Sequence, residues 1–202
     1  MATANYVTAA KPAVGGAVYV ADTTATLPTD ATSDLSSDFT CLGYISEDGL
    51  TNGSTLNTET KKAWGGDEVI VINQGRDDTF SFTLIEALNV DVLKFVFGED
   101  NVSGSLEEGI IVNVNSDDLA EQAMVIDMIM RNGALKRICI PDAAVSEVGE
   151  VPYNDSDISG YEVTVTAIAD EAGNKHYEYI SSASSTDEET TEKDTDSTEE
   201  SE

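Results

Sequence analysis

Cations are scarce in this chain: ten Lys and Arg stand against thirty-nine Asp and Glu, a formal charge of −29 over 202 residues. A surface of that sign repels phosphate, which excludes general nucleic-acid binding through counterion release and opposes attraction to anionic membranes. Long apolar runs are missing too. Nothing approaches the roughly 20 residues of a membrane span, and the opening MATANYVTAAKPAVGG has neither the basic cluster nor the apolar stretch of a secretory leader. The expectation is a soluble protein, made in a cytoplasm and kept there until it joins something larger.

Residues that carry chemistry are equally few. The two cysteines, Cys41 and Cys139, and the one histidine, His176, lack any zinc-ligand spacing. The cysteines read as buried thiols in a reducing compartment. No nucleophile is signalled near His176, which reads as an ordinary surface or hairpin histidine. Gly65-Gly66 lacks the lysine and the spacing of a phosphate loop. Asp155 to Gly160 opens like a calcium loop, but Thr166 stands where that loop needs a bidentate Glu, so the segment reads as an acidic turn. No carboxylate pair separates itself from solvated surface. The chain is therefore expected to have no catalytic residues, no metal and no cofactor, and not to be an enzyme.

What is present is a core and a change of period. Apolar residues make up 40% of the chain, enough for one domain of ordinary size. In Asp78 to Asn101, Phe80, Phe82 and Leu84 alternate with polar residues as on a half-buried strand. From Ile85 the spacing lengthens, and Leu88, Val92 and Phe95 fall on one side of a helix predicted over about 86–97, with Gly98 to end it. Phe80, Phe82, Leu84, Leu88, Val92 and Phe95 are the predicted core and helix packing.

The rest reads mainly as strands. Residues 1–16 form an extended arm, and 17–180 the domain. Asp22 to Asp38 is loop by composition. Residues 47–67 are a polar, Thr-rich insertion holding the one tryptophan, Trp64, and open to reading as a long hairpin. Val69 to Ile72 is continuously apolar, as in a strand covered on both faces. Ser116 to Arg131 fits a capped helix or a strand. Asn132-Gly133, between two alternating runs, decides for a two-residue hairpin with positive φ at both turn positions, and Pro141 is expected to close its second arm. Gly160 to Ala169 alternates cleanly, and His176 to Ile180 makes a last hairpin. Nine acids and one lysine between Asp187 and Glu202 make 181–202 a disordered tail. The predicted fold class is mainly β (α+β): an antiparallel β-sandwich or barrel with one flanking α-helix, a long insertion, an N-terminal arm and an acidic tail.

Several short segments in order carry a resemblance: Leu42-Gly43-Tyr44-Ile45 leading to Asp48-Gly49, Lys61 to Asp67 (KKAWGGD), and Phe80 to Glu86 with its helix and Phe97-Gly98. Val125-Ile126-Asp127, Lys136 to Pro141 (KRICIP), Val145 to Gly149 and Gly160-Tyr161 through Tyr179 follow. Over about residues 1–180 the chain resembles the major tail tube proteins of long, non-contractile (siphovirus-type) bacteriophage tails, with the acidic tail outside the resemblance. The resemblance implies a homo-oligomer of hexameric rings, stacked into a tube around a tape measure protein. It also implies tail terminator and tail-tip partners, passage of DNA without adhesion, and a place in the virion after assembly in the host bacterial cytoplasm. The insertion and the arm would bridge subunits or rings, with Lys61, Lys62, Trp64, Gly65, Gly66 and Asp67 as contact residues. Trp64 either anchors such a contact or folds back on its own domain. One other class stays open, a monomeric Ig-like adhesive or display domain with a solubilising tail; an acidic mimic of DNA fits the charge but not the long Thr-rich insertion.

Overall fold

Alternating apolar residues dictate the architecture seen in a computed structural model, which describes residues 2–13 and 15–182. In chain order the strands are β1 (Ala10–Pro12), β2 (Val18–Asp22), β3 (Thr40–Cys41), β4 (Ile45–Lys62) and β5 (Glu68–Leu84). The helix α1 (Val90–Phe97) precedes β6 (Val102–Ser105), β7 (Gly109–Val112), β8 (Gln122–Met130), β9 (Leu135–Val148), β10 (Tyr161–Ile168) and β11 (Tyr177–Ser181). Nine strands form one antiparallel sheet along the path β3-β2-β8-β9-β10-β5-β4, with β1 paired to β8 and β11 to β9; β6 and β7 pair separately. The mainly β, antiparallel reading with one flanking helix holds, but the path among the described residues is open and does not close into a barrel.

The core lies where the alternation aims it. Phe80, Phe82 and Leu84 are buried, as are Val163, Val165 and Ala167 on the paired strand β10. Val92, Leu93, Phe95 and Val96 of α1 join the same cluster. The helix is shorter than its periodicity predicts and starts at Val90. Asn89, in extended conformation, caps it by accepting the Asp91 N–H at 3.0 Å. Before it, Glu86 accepts the Tyr44 N–H at 2.9 Å and the Asn89 amide at 2.9 Å, which holds 85–89 in a turn. Leu88 therefore lies on that turn, 65% exposed, and is not a packing residue. A Cβ at Gly43 (φ 74°) would fall 2.2 Å from the Glu86 carboxyl, so this turn requires glycine there.

The long-hairpin reading of the 47–67 insertion holds, because β4 and β5 pair from Ile45 with Leu84 out to Lys62 with Glu68. Two other expectations change. The β8–β9 connection has positive φ at Gly133 only, and the Gly133 N–H donates to Met130 O at 2.8 Å. That is a tight turn closed by a left-handed glycine, not the two-residue turn expected from Asn132-Gly133. Pro141 does not end its strand. The β8 register shifts opposite it, and β9 changes partner there, from β11 up to Cys139 to β10 from Asp142. A bulge needs no N–H from that position, so proline is tolerated. The arm is docked by a strand: Ala10 to Pro12 pair with Met130 to Met128. Ser181 closes β11; the acidic tail expected beyond it lies, from residue 183, outside the described residues.

One ion pair ties the long loop to this sheet. Arg137, 5% exposed on β9, donates Nε to Asp127 Oδ1 at 2.6 Å and Nη2 to Asp127 Oδ2 at 2.8 Å across the β8–β9 ladder. Its Nη1 donates to Ser33 O at 2.8 Å and Asp30 O at 3.2 Å. The hydrogen bonds it donates to Asp127 raise the guanidinium above its usual range. The turn it grips is itself set by the Ser33 and Thr32 N–H groups, which hold the Asp30 carboxyl at about 2.

Both cysteines are free. Cys41 pairs with Tyr19, Tyr19 with Val125, and Val125 with Cys139, so they lie three ladder steps apart. At about 4.8 Å per step that is roughly 14 Å, beyond reach of a disulfide. Cys139 is buried, and burial pushes its thiol up to about 12, whereas Cys41 is half-buried.

Arg137→Ala strands Asp127 without its fork, and urea unfolding is expected to show a loss of about 3–5 kcal/mol; Arg137→Lys recovers only part of it. Alkylation of the native chain at about pH 8, read by mass, is expected to modify at most one thiol, with Cys139 reacting only once denaturant opens the core.

Candidate assembly surface

Beyond Thr79, β5 loses its second neighbour, since β10 pairs with it only from Leu84 to Thr79. From there outward β4 and β5 form a free two-stranded ribbon. Every residue from 51 to 77 is exposed except Glu59, which is half-buried. Its sequence explains why it is still strand: Thr51, Thr55, Thr58 and Thr60 favour extended backbone on β4, opposite the β-branched Val69 to Ile72 of β5.

The apolar residues of the ribbon are in the wrong place for a solitary chain. Val69 is 64% exposed, Ile70 57%, Val71 62% and Ile72 40%, and Leu56 on the opposite strand is 54% exposed. The four consecutive positions point alternately to the two faces, so neither face is covered and the expected double burial is not met within one chain. Isolated apolar residues on a surface are ordinary, but a contiguous patch with open strand edges marks a contact surface.

The tip gathers all six predicted contact residues. Ala63 N–H donates to Asp67 O at 2.8 Å and Gly66 N–H to Ala63 O at 3.0 Å, closing a turn that Gly65 (φ 118°) and Gly66 (φ 102°) make possible. Trp64 projects from it fully exposed, without folding back on its own domain. Lys61 pairs with Glu59, and Lys62 with Glu68 at 3.8 Å; all four side chains are about half exposed or more, so these pairs hold little energy.

The root is fixed by residues that local reading passed over. Asp78 is 1% exposed and accepts the Asn52 amide at 2.9 Å and a contact from His176 Nδ1. The His176 ring stands edge-on to Phe80, centroids 5.4 Å apart, and its Nε2 lies 3.9 Å from Glu178, which accepts Lys136 at 2.8 Å. His176 is thus a structural partner of a buried carboxylate, not a surface residue. One signal was available: Asp78 is in phase with Phe80, Phe82 and Leu84, and a carboxylate on a core-facing position requires a partner.

Outside the ribbon, two recesses are rich in carboxylates. Glu47, Asp48, Glu150, Asp157 and Glu162 line one of about 610 Å³, and Asp22, Asp38, Asp91 and Glu99 surround Lys94 in another of about 200 Å³. Neither holds the nucleophile, base and oxyanion donors of a reaction site.

A family model described as phage tail tube protein matches residues 2–191. The match therefore continues through part of the segment from Ser181 that the sequence resemblance left out. No curated protein matches the chain.

Root and tip should differ sharply in the isolated chain. His176→Ala leaves buried Asp78 with Asn52 as its remaining side-chain partner and is expected to cost about 1–3 kcal/mol in urea unfolding. Trp64→Ala is expected to change stability by less than about 0.5 kcal/mol.

Proposed function

This chain belongs to the phage tail tube protein family, and on that premise we propose that its copies form hexameric rings that stack into the tube of a long, non-contractile tail. Its role is structural, in the virion tail, and it is not an enzyme. In this reading rings assemble in the host bacterial cytoplasm around a tape measure protein, between tail-tip and terminator proteins, and the finished tube conducts DNA during ejection. The observation that carries it is the ribbon: a two-stranded arm whose apolar residues and strand edges meet no partner within one chain. Neighbouring copies supply that cover, with Lys61, Lys62, Trp64, Gly65, Gly66 and Asp67 at the contact. The ribbon weighs against a monomeric display domain, which has no use for an arm of this length.

Charge opposes the assembly and serves its product. A net −29 on each copy makes subunits repel one another, so apolar contact must exceed the repulsion. The same sign on the wall of a conduit keeps phosphate from adhering. Raising ionic strength from about 0.01 to about 1 M shortens the Debye length from about 30 to about 3 Å. Sedimentation of the purified chain is therefore expected to shift toward larger species as salt rises. Negative-stain images of those species should show rings with a central hole or stacked tubes. A strict monomer at high concentration and all salt levels, or oligomers that dissolve as salt rises, would overturn the reading.

A further inference from the structure

A recess of about 220 Å³ lies between the docked arm and the foot of the ribbon. Its floor is apolar, built from Pro12, Ala17, Leu50, Ile126 and Met128, with Lys11 on one rim and Glu47 and Asp48 on the other. For scale, an apolar cavity of about 150 Å³ accepts benzene, so this one is roomy enough for an indole. The larger recess of about 610 Å³ also has apolar lining, from Ile85, Pro152 and Ile158, but it carries five carboxylates and no cation, so it offers nothing to pair with Asp67 beside the indole.

The tip of the ribbon has the complementary shape and charge. Trp64 is the one tryptophan of the chain and is fully exposed. Two cations, Lys61 and Lys62, precede it, and two acids, Asp67 and Glu68, follow the turn. Lys61 and Lys62 match Glu47 and Asp48; Asp67 matches Lys11, which makes no ion pair among the described residues. The rim carboxylates also offer an acceptor for the indole N–H, which a buried tryptophan needs.

A chain cannot fill its own recess. The twelve steps of β4 from Leu50 to Lys62, at about 3.3 Å each, hold the tip roughly 40 Å from the foot. We propose that Trp64 of one copy seats in the recess of a second copy, between Pro12 and Met128 on one side and Leu50 on the other, with Lys61 and Lys62 against Glu47 and Asp48. The inference rests on the tube reading and adds the receiving surface to it. Because tip and recess are different surfaces of one chain, the contact is head-to-tail. Such a contact repeats without exhausting itself, as growth of a tube requires.

Trp64 is its own reporter. As salt drives assembly of the full-length chain, its emission is expected to shift to the blue and its quenching by acrylamide to fall severalfold. Trp64→Ala should raise the protein concentration needed for assembly by about 30-fold or more, the loss expected at a hot-spot tryptophan. The pair Glu47→Lys and Asp48→Lys lowers net negative charge, so general repulsion predicts easier assembly; the proposed contact predicts harder assembly. Adding Lys61→Glu and Lys62→Glu to that variant should restore it, while Glu107→Lys with Glu108→Lys, the same charge change elsewhere, should ease assembly. Rings or tubes in which Trp64 stays freely quenched overturn this inference and leave the tube reading standing. A protected Trp64 without rescue by the double reversal overturns the choice of recess. Failure of the wild-type chain to assemble under any salt removes both.

Discussion

A two-stranded ribbon with water on both faces is marginal by itself, and the rest of this molecule is arranged around that constraint. Beyond Thr79 no third strand among the described residues supports β5, so within them the ribbon is fixed at its root. There a buried carboxylate, Asp78, is held by Asn52 from the facing strand and His176 from the end of β10–β11. The network joins both ribbon strands to a third element at the point where sheet support ends. Everything farther out depends on backbone pairing within the ribbon and on what covers Val69 to Ile72. Burying those side chains gains roughly 1.5–3 kcal/mol each, a gain open only to an assembled state.

Electrostatics sets how that gain must be delivered. With ten cations against thirty-nine acids, the few cations that are placed matter. Arg137 locks the 23–39 loop on the β8–β9 hairpin, Lys136 faces Glu178 beside the root network, and Lys61 and Lys62 stand at the tip. Broad surface approach between copies is repulsive at low salt. Attraction must be concentrated in few places where apolar area and opposite charge coincide, and the tip is one of them.

The fold was legible where alternation and core coincide. β10 and the inner half of β5 were readable because their apolar phase matches a single buried face. The helix was readable in kind but not in length, since Ile85 and Leu88 keep helical spacing while Glu86 bonds to Tyr44 and Asn89 and fixes a turn. That distinction depends on a partner 42 positions away, which no local window contains. Pro141 misled for a similar reason: a proline ends a strand only if its N–H is wanted, and the bulge opposite it removes the demand. At the candidate site the six tip residues were named through the family resemblance of Lys61 to Asp67, and composition marked only Trp64, the one tryptophan in a polar stretch. The root did not, because Asp78, Asn52 and His176 come from three distant segments.

The apolar run on β5 carries one more lesson about what alternation can express. In an antiparallel pair, opposed residues share a face. Lys61 opposes Ile70 and Glu59 opposes Ile72 on one face, while Thr60 opposes Val71 on the other. Each face is therefore polar along β4 and apolar along β5, and the asymmetry runs across the ribbon's width, not between its faces. A period-two pattern encodes only a difference between faces, which is why this segment shows none. Its physical meaning is directional: an apolar partner is drawn to the β5 edge from both faces, and β4 is left to water. A strand with apolar groups on both faces and an unpaired edge has what a continuous sheet requires of an inner member. The single chain supplies that strand, and in the proposed tube a neighbouring copy would complete its environment.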